Sequence, residues 1–246
     1  MAAKRIDILG LPVDDVDMDT AIERIAGFIA SGTMHQVVTA DASMVVTASM
    51  DAEFLKVAKA AAMVTSDGAG ILWASRKLGL GIRNKCSGVD LAERLVAESV
   101  KRGWRIFFFG AAPGVAALAA TEMQKRYPGC NVIGTRDGFF DVSAAAAVAT
   151  EIAVSKPDIV LVALGIPKQE KWIAAHGNLT GAKVCIGVGG TLDVFSGTVQ
   201  RAPLWMQKRG LEWFYRLTSD PRQLRNRINK QKLLPKFVGM VLKASR

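Results

Sequence analysis

The chain has 246 residues, half of them hydrophobic, 22% charged and 7% aromatic, and a net charge of +10. Its apolar content excludes a mainly disordered chain, and its length allows one large buried core. No run of about 18 apolar residues is present to cross a bilayer. The start, MAAKRIDILG, lacks the apolar stretch and cleavage site of a secretory leader, so a cytosolic protein is expected. Residues 1–200 carry 20 Lys and Arg against 20 Asp and Glu, whereas residues 201–246 carry 12 against 2. A neutral body with a strongly basic end calls for an anionic surface or ligand. Cys86, Cys130 and Cys185 are odd in number and embedded in apolar sequence, which predicts buried thiols and no disulfide framework. His35 and His176 lie far apart, so no histidine metal centre is expected.

In chain order, short β-branched runs alternate with Ala-rich helical stretches. Ile6–Leu9 is a predicted strand, followed by a helix capped by Asp19 or Thr20 and running to about Ala30. Gln36–Thr39 is a strand, Ala40–Ser43 a loop, and the chain is helical from there through Lys59. Met63–Ser66 is a strand ending at Asp67-Gly68, with helices following to Leu78 and over Val89–Lys101. Arg105–Phe109 is a strand, Gly110–Gly114 a turn, and a helix then runs to about Tyr127. Strand Asn131–Gly134, helix Ala144–Ser155, strand Ile159–Leu164, helix Gln169–Ala175 and strand Val184–Val188 follow, then a loop over Gly189–Gly197. This alternation predicts an α/β fold with a mostly parallel sheet and helices on both faces. The core spans residues 1–200 and a basic helical C-terminal appendage spans 201–246. Within the appendage Leu204–Arg216 is helical, Arg222–Gln231 is basic, and Lys232–Lys243 is apolar with lysines at both ends. That last stretch is too short to span a bilayer; it either lies in a membrane interface or packs on the body.

In open parallel sheets ligands bind beyond the carboxyl ends of the strands. Here those ends carry Thr39-Ala-Asp41, Ser66-Asp67-Gly68, Gly110–Gly114, Gly165–Glu170 and Gly187–Asp193, forming one polar rim. The glycine segments lack both the dinucleotide spacing and the P-loop Lys-Ser/Thr, which argues against an ordinary NAD enzyme. They read either as tight turns or as phosphate receivers at helix N-termini. Asp67 is either a turn former or a carboxylate placed to take a proton from a hydroxyl. The acids Asp14, Asp15 and Asp17 include a literal D-x-D, read as helix capping and not as a metal site.

Several of these segments together resemble the WecG/TagA/CpsF glycosyltransferases, glycosyltransferase family 26. They are Asp67–Ser75, Ser87–Leu91, Gly165–Trp172, Gly187–Asp193 with Gly197, and Arg201-Ala-Pro203 through Gly210–Arg216. The resemblance covers roughly residues 6–230. It implies a Rossmann-like fold and an inverting transfer of a sugar from a UDP-sugar to a sugar on undecaprenyl diphosphate. It also implies that the basic C-terminal segment docks on the cytoplasmic membrane surface and helps complete the site, with no cofactor, and a place in cell-surface or exopolysaccharide biosynthesis. By position, Asp67 matches the general base, Thr39 a substrate-contacting Thr and Gln169 a site Gln. Asp41 stands where the family usually has Asn, and Lys85, with Arg83 nearby, where it usually has Arg; the latter exchanges a bidentate fork for a point charge. The expected catalytic residue is Asp67. The expected substrate-binding residues are Thr39, Asp41, Lys85, Gly110, Gln169, Glu170, Gly187, Gly189, Asp193, Arg216 and Arg222, with Arg225 and Arg227 as further basic candidates, and no metal or nucleic acid is expected. From another class, a non-catalytic binder of anionic surfaces or nucleic acid fits the basic tail equally well, but does not account for the polar rim.

Overall fold

The computed structural model describes residues 4–203, 205, 206, 215 and 233–245. Its centre is a six-stranded, wholly parallel sheet built from β3 (His35–Ala40), β4 (Met63–Ser66), β5 (Ile106–Gly110), β6 (Val132–Arg136), β7 (Ile159–Ala163) and β8 (Val184–Gly187), in the order β4-β3-β8-β7-β5-β6. β4, β5, β7 and β8 are buried at every position, as strands covered on both faces must be. Side chains alternate between the faces. Ile106, Phe108, Ile159, Leu161, Val184 and Ile186 join one core. Phe107, Phe109, Val160, Val162 and Cys185 join the core on the other side.

The first face is covered by α1 (Met18–Ser31), α5 (Gly88–Arg102), α6 (Val115–Arg126) and the short α9 (Thr191–Phe195). The second is covered by α2 (Ala42–Ala48), α3 (Ala52–Ala60), α4 (Ala69–Lys77), α7 (Ala145–Val154), α8 (Lys168–His176) and the last described helix, α10 (Leu233–Ala244). The helices after β3 and β8 therefore leave on opposite faces of adjacent strands, the arrangement that places ligands beyond those strand ends.

Several predicted boundaries shift. The first strand is half of a hairpin, β1 (Arg5–Ile8) with β2 (Leu11–Asp14), turned by Leu9 at φ 54° and Gly10 at φ 94°. Pro12 inside β2 masks it in the sequence, since proline is confined to edge strands and bulges. Asp14 is 2% exposed. It accepts from Arg5 Nε and Nη2 at 3.0 and 2.9 Å and from the Val64 amide at 2.8 Å, so the hairpin is pinned to edge strand β4. Asp17, and not Asp19 or Thr20, caps α1 by accepting from the Thr20 amide. Asp51 caps α3 and splits the helix predicted through Lys59. The predicted loop over Gly189–Gly197 contains α9.

The apolar end of the chain packs on the body. Phe237 and Val241 of α10 are 1% and 0% exposed and belong to the core shared with α2 and α4. Trp73 of α4 meets the Phe237 ring at 6.0 Å. Gly70 lets these helices approach, since a Cβ there would stand 2.9 Å from Ala42 Cβ. No helix among the described residues is long and apolar enough to cross a membrane.

Candidate active site

Register places the carboxyl ends of β3, β4, β7 and β8 side by side, with Thr39 opposite Thr65 and Val38 and Val162 both opposite Gly187. Thr39 is buried, and its hydroxyl donates to the Gly187 carbonyl at 2.8 Å, tying β3 to β8. Asp41 begins α2. Its Oδ1 accepts from the Ser43 and Met44 amides at 2.9 and 3.1 Å and from the Ser43 hydroxyl at 2.5 Å. Asp and Asn cap helices equally well. The departure at position 41 therefore preserves the helix start and adds a carboxylate to the rim.

Asp67 follows β4, and its amide donates to the Ala40 carbonyl at 2.7 Å. Its carboxylate does more than close its own turn: Oδ2 accepts from the Gly88 amide at the start of α5, at 3.1 Å. A helix N-terminus favours the ionised carboxylate, the form a general base needs. Gly88 allows the close approach. A Cβ would lie 3.0 Å from Thr39 Oγ1. Thr39, Asp67 and the first turn of α5 are thus brought together as one cluster.

The second cluster lies at the ends of β7 and β8. Gln169 is 1% and Glu170 0% exposed. Gln169 Oε1 accepts from the Gly165 and Gly189 amides at 3.2 and 3.0 Å, while its Nε2 donates to Glu170 Oε1 at 2.7 Å. Gln36 Nε2 donates to the Glu170 carbonyl at 3.0 Å. These side chains hold the two glycine loops in register from beneath. Gly187 makes room for them, because a Cβ would meet Gln169 Nε2 at 2.6 Å and Glu170 Oε1 at 2.7 Å. Gly187→Ala is accordingly expected to displace the Gln169–Glu170 pair. It should lower stability by about 1–3 kcal/mol, the usual cost of overpacking, measured by urea unfolding.

Gly110 ends β5 at φ 120°, and a Cβ would stand 2.4 Å from the Ala163 carbonyl oxygen, so only glycine fits. The helices after β4 and β5 begin on Gly68 and Gly114 without a side-chain cap, and a helix N-terminus presents amide donors. Asp193 lies in α9. Its carbonyl accepts from the Val199 amide and from the Ser196 and Thr198 hydroxyls, each at 3.0 Å, which fixes the chain's course toward Arg201.

Lys85 lies in the loop before α5. Asp15 organises that loop, its Oδ1 accepting from the Arg83 and Asn84 amides at 3.0 Å each and from Asn84 Nδ2 at 3.1 Å. The Ser66 hydroxyl donates to the Asn84 carbonyl. Of the acids in the D-x-D stretch, Asp14 pins the hairpin, Asp15 this loop, and Asp17 caps a helix. Among the described residues no group of three or more His, Cys, Asp and Glu is placed to hold a metal ion.

Two residues absent from the sequence-based site join it. Asp90, in the first turn of α5, accepts from Arg201 Nη1 at 2.7 Å and from the Ser87 hydroxyl at 2.5 Å. Burial pushes its carboxyl up most strongly, but Arg201 and Ser87, with the Lys85 charge, together hold it below the usual carboxylate range. Both stand within segments that carry the family resemblance; only their pairing across the fold was invisible. Cys86 lies beneath, its thiol pushed up to about 12 by burial first and then by the Asp67 and Asp90 charges. It stays protonated and unreactive. Burial likewise pushes Cys185 to about 12 and raises Cys130, and all three thiols are free and buried. Arg216, Arg222, Arg225 and Arg227 lie outside the described residues.

Comparison with known proteins identifies the family. The profile of the Glycosyl transferase WecG/TagA/CpsF family matches residues 6–246. Proteins of Staphylococcus aureus strains MRSA252, MW2 and NCTC 8325 are each 32% identical to the chain over 244 residues, covering 98% of it and 94% of their own length. Each is named N-acetylglucosaminyldiphosphoundecaprenol N-acetyl-beta-D-mannosaminyltransferase. With an enzyme indicated, the non-catalytic binder is set aside, and the chain belongs to the WecG/TagA/CpsF family of glycosyltransferases.

Proposed function

We propose that the protein transfers one sugar from a UDP-sugar to the sugar of an undecaprenyl-diphosphate-linked acceptor, with inversion at the anomeric carbon. The observation that carries this reading is the Asp67 carboxylate at the end of β4, bonded to the Gly88 amide and clustered with Thr39. In the step, the acceptor hydroxyl gives its proton to Asp67 as its oxygen bonds to the anomeric carbon. The bond from that carbon to the diphosphate breaks on the opposite face, and its electron pair leaves with UDP. Charge then gathers on the diphosphate, and fixed donors stabilise it. The amide donors behind Gly68 and Gly114 and the Lys85 ammonium supply that role. The relatives' names make N-acetylmannosamine the first sugar to test and an N-acetylglucosaminyl lipid the first acceptor.

The acceptor's lipid places the reaction at a membrane surface, and the basic excess of residues 201–246 supplies the attraction to it. Two measurements test the reading. UDP should raise the melting temperature in proportion to the logarithm of its concentration above Kd while an oligonucleotide does not, and NMR of the product should show the anomeric configuration inverted relative to the donor. A retained configuration, or no response to UDP, contradicts it.

Lys85→Ala is expected to raise the donor KM or lower turnover about ten- to a hundredfold, consistent with the loss of one charge-assisted contact at about 1.5–3 kcal/mol. Lys85→Arg, which restores the fork, should be tolerated. An unchanged rate in Lys85→Ala would transfer the role to Arg83.

A further inference from the structure

We propose that Asp90 is a positioning residue for glycosyl transfer: paired with Arg201, it holds the first turn of α5 so that the Gly88 amide stays on the Asp67 carboxylate. This rests on the assignment of Asp67 as base. Ser87 caps α5, and its hydroxyl is shared with Asp90 Oδ2 at 2.5 Å. The other oxygen, Oδ1, takes Arg201 Nη1 at 2.7 Å, from the chain segment that leaves α9. The Arg201 side chain is only 22% exposed, and breaking an ion pair in a largely buried setting is costly.

The course from α9 to Arg201 is itself fixed by the three donors to the Asp193 carbonyl. A connected path therefore runs from the end of β8 through Arg201 and Asp90 to Gly88 and Asp67. A helix cap alone needs only Ser87. The second partner, brought from a distant part of the chain, ties the aim of the base to the β8 loop.

The test uses the full chain and measures kcat, donor KM and melting temperature. Asp90→Asn and Arg201→Met should each lower kcat about ten- to a hundredfold, the scale of a small misplacement at the reacting atoms, with donor KM changed less than about twofold. The double variant should be no worse than the weaker single, because both remove one device. Arg201→Lys should regain most of kcat. In an Asp67→Asn background, Asp90→Asn should change the residual rate by less than about twofold, since no base remains to be aimed. Should Asp90→Asn fail to fold, Asp90→Glu keeps the charge, displaces it by one methylene, and is expected to lose kcat at a near-normal melting temperature. A multiplicative effect of Asp90→Asn in the Asp67→Asn background overturns the proposal, as does a rise in KM at unchanged kcat. Asp67→Asn alone costing less than about tenfold removes the base assignment and this proposal with it, by a measurement separate from the Asp90 cycle.

Discussion

Replacing Asp67 by Asn is expected to lower turnover by about 10²–10⁴, the range for loss of a general base, while fold and UDP affinity are kept. Asn is nearly isosteric, and its Oδ1 can still accept from the Gly88 amide that Asp67 Oδ2 holds at 3.1 Å. What is lost is the basicity that takes the acceptor proton. Initial rates at saturating acceptor, with UDP binding by calorimetry, separate chemistry from binding. A fall of less than about tenfold would make Asp67 a turn residue that also steadies α5.

The second large effect concerns α10. Phe237 is 1% exposed and lies in the core with Met44, Val45 and Ile71, so Phe237→Ala should cost about 3–5 kcal/mol. At roughly 2–4 °C per kcal/mol for a chain of this size, the melting temperature should fall by about 10 °C. Ending the chain before Leu233 removes Val241 as well and uncovers the apolar faces of α2 and α4. Those helices begin just after Asp41 and just after Asp67-Gly68. Truncation is therefore expected to reduce UDP binding and to promote aggregation, in addition to any loss of vesicle attachment. A truncated chain that melts normally would place α10 outside the folding unit. The helix's lysines, Lys236 and Lys243, lie on its exposed positions, and Lys236 Nζ reaches Met50 Sδ at 2.9 Å.

The sheet was legible because parallel strands buried on both faces read as short apolar runs: Met63–Ser66 was expected and found at the same residues, and Ile159–Leu164 differed by one. The polar rim was legible for the same reason, since strand ends of a parallel sheet share one edge. What was not legible depended on contacts between distant residues. The β1–β2 hairpin hides behind Pro12, and the acid at its end is explained only by Arg5 and the β4 edge. Gln169 and Glu170 were expected to contact ligand. Their burial, and the bonds of Gln169 Oε1 to the Gly165 and Gly189 amides, follow from two loops meeting. Asp90 and Arg201 lie far apart in sequence, and no local pattern announces an ion pair between them.

Glycosyl transfer is measured by incubating the purified protein with a panel of UDP-sugars, UDP-N-acetylmannosamine first, and a short-chain prenyl-diphosphate N-acetylglucosamine acceptor, then determining the masses of the products. The expected result is a product heavier than the acceptor by one sugar residue, formed together with UDP and lost in Asp67→Asn. Acceptor recovered unchanged with every donor, by a protein that is folded and melts cooperatively, would contradict the proposed transfer.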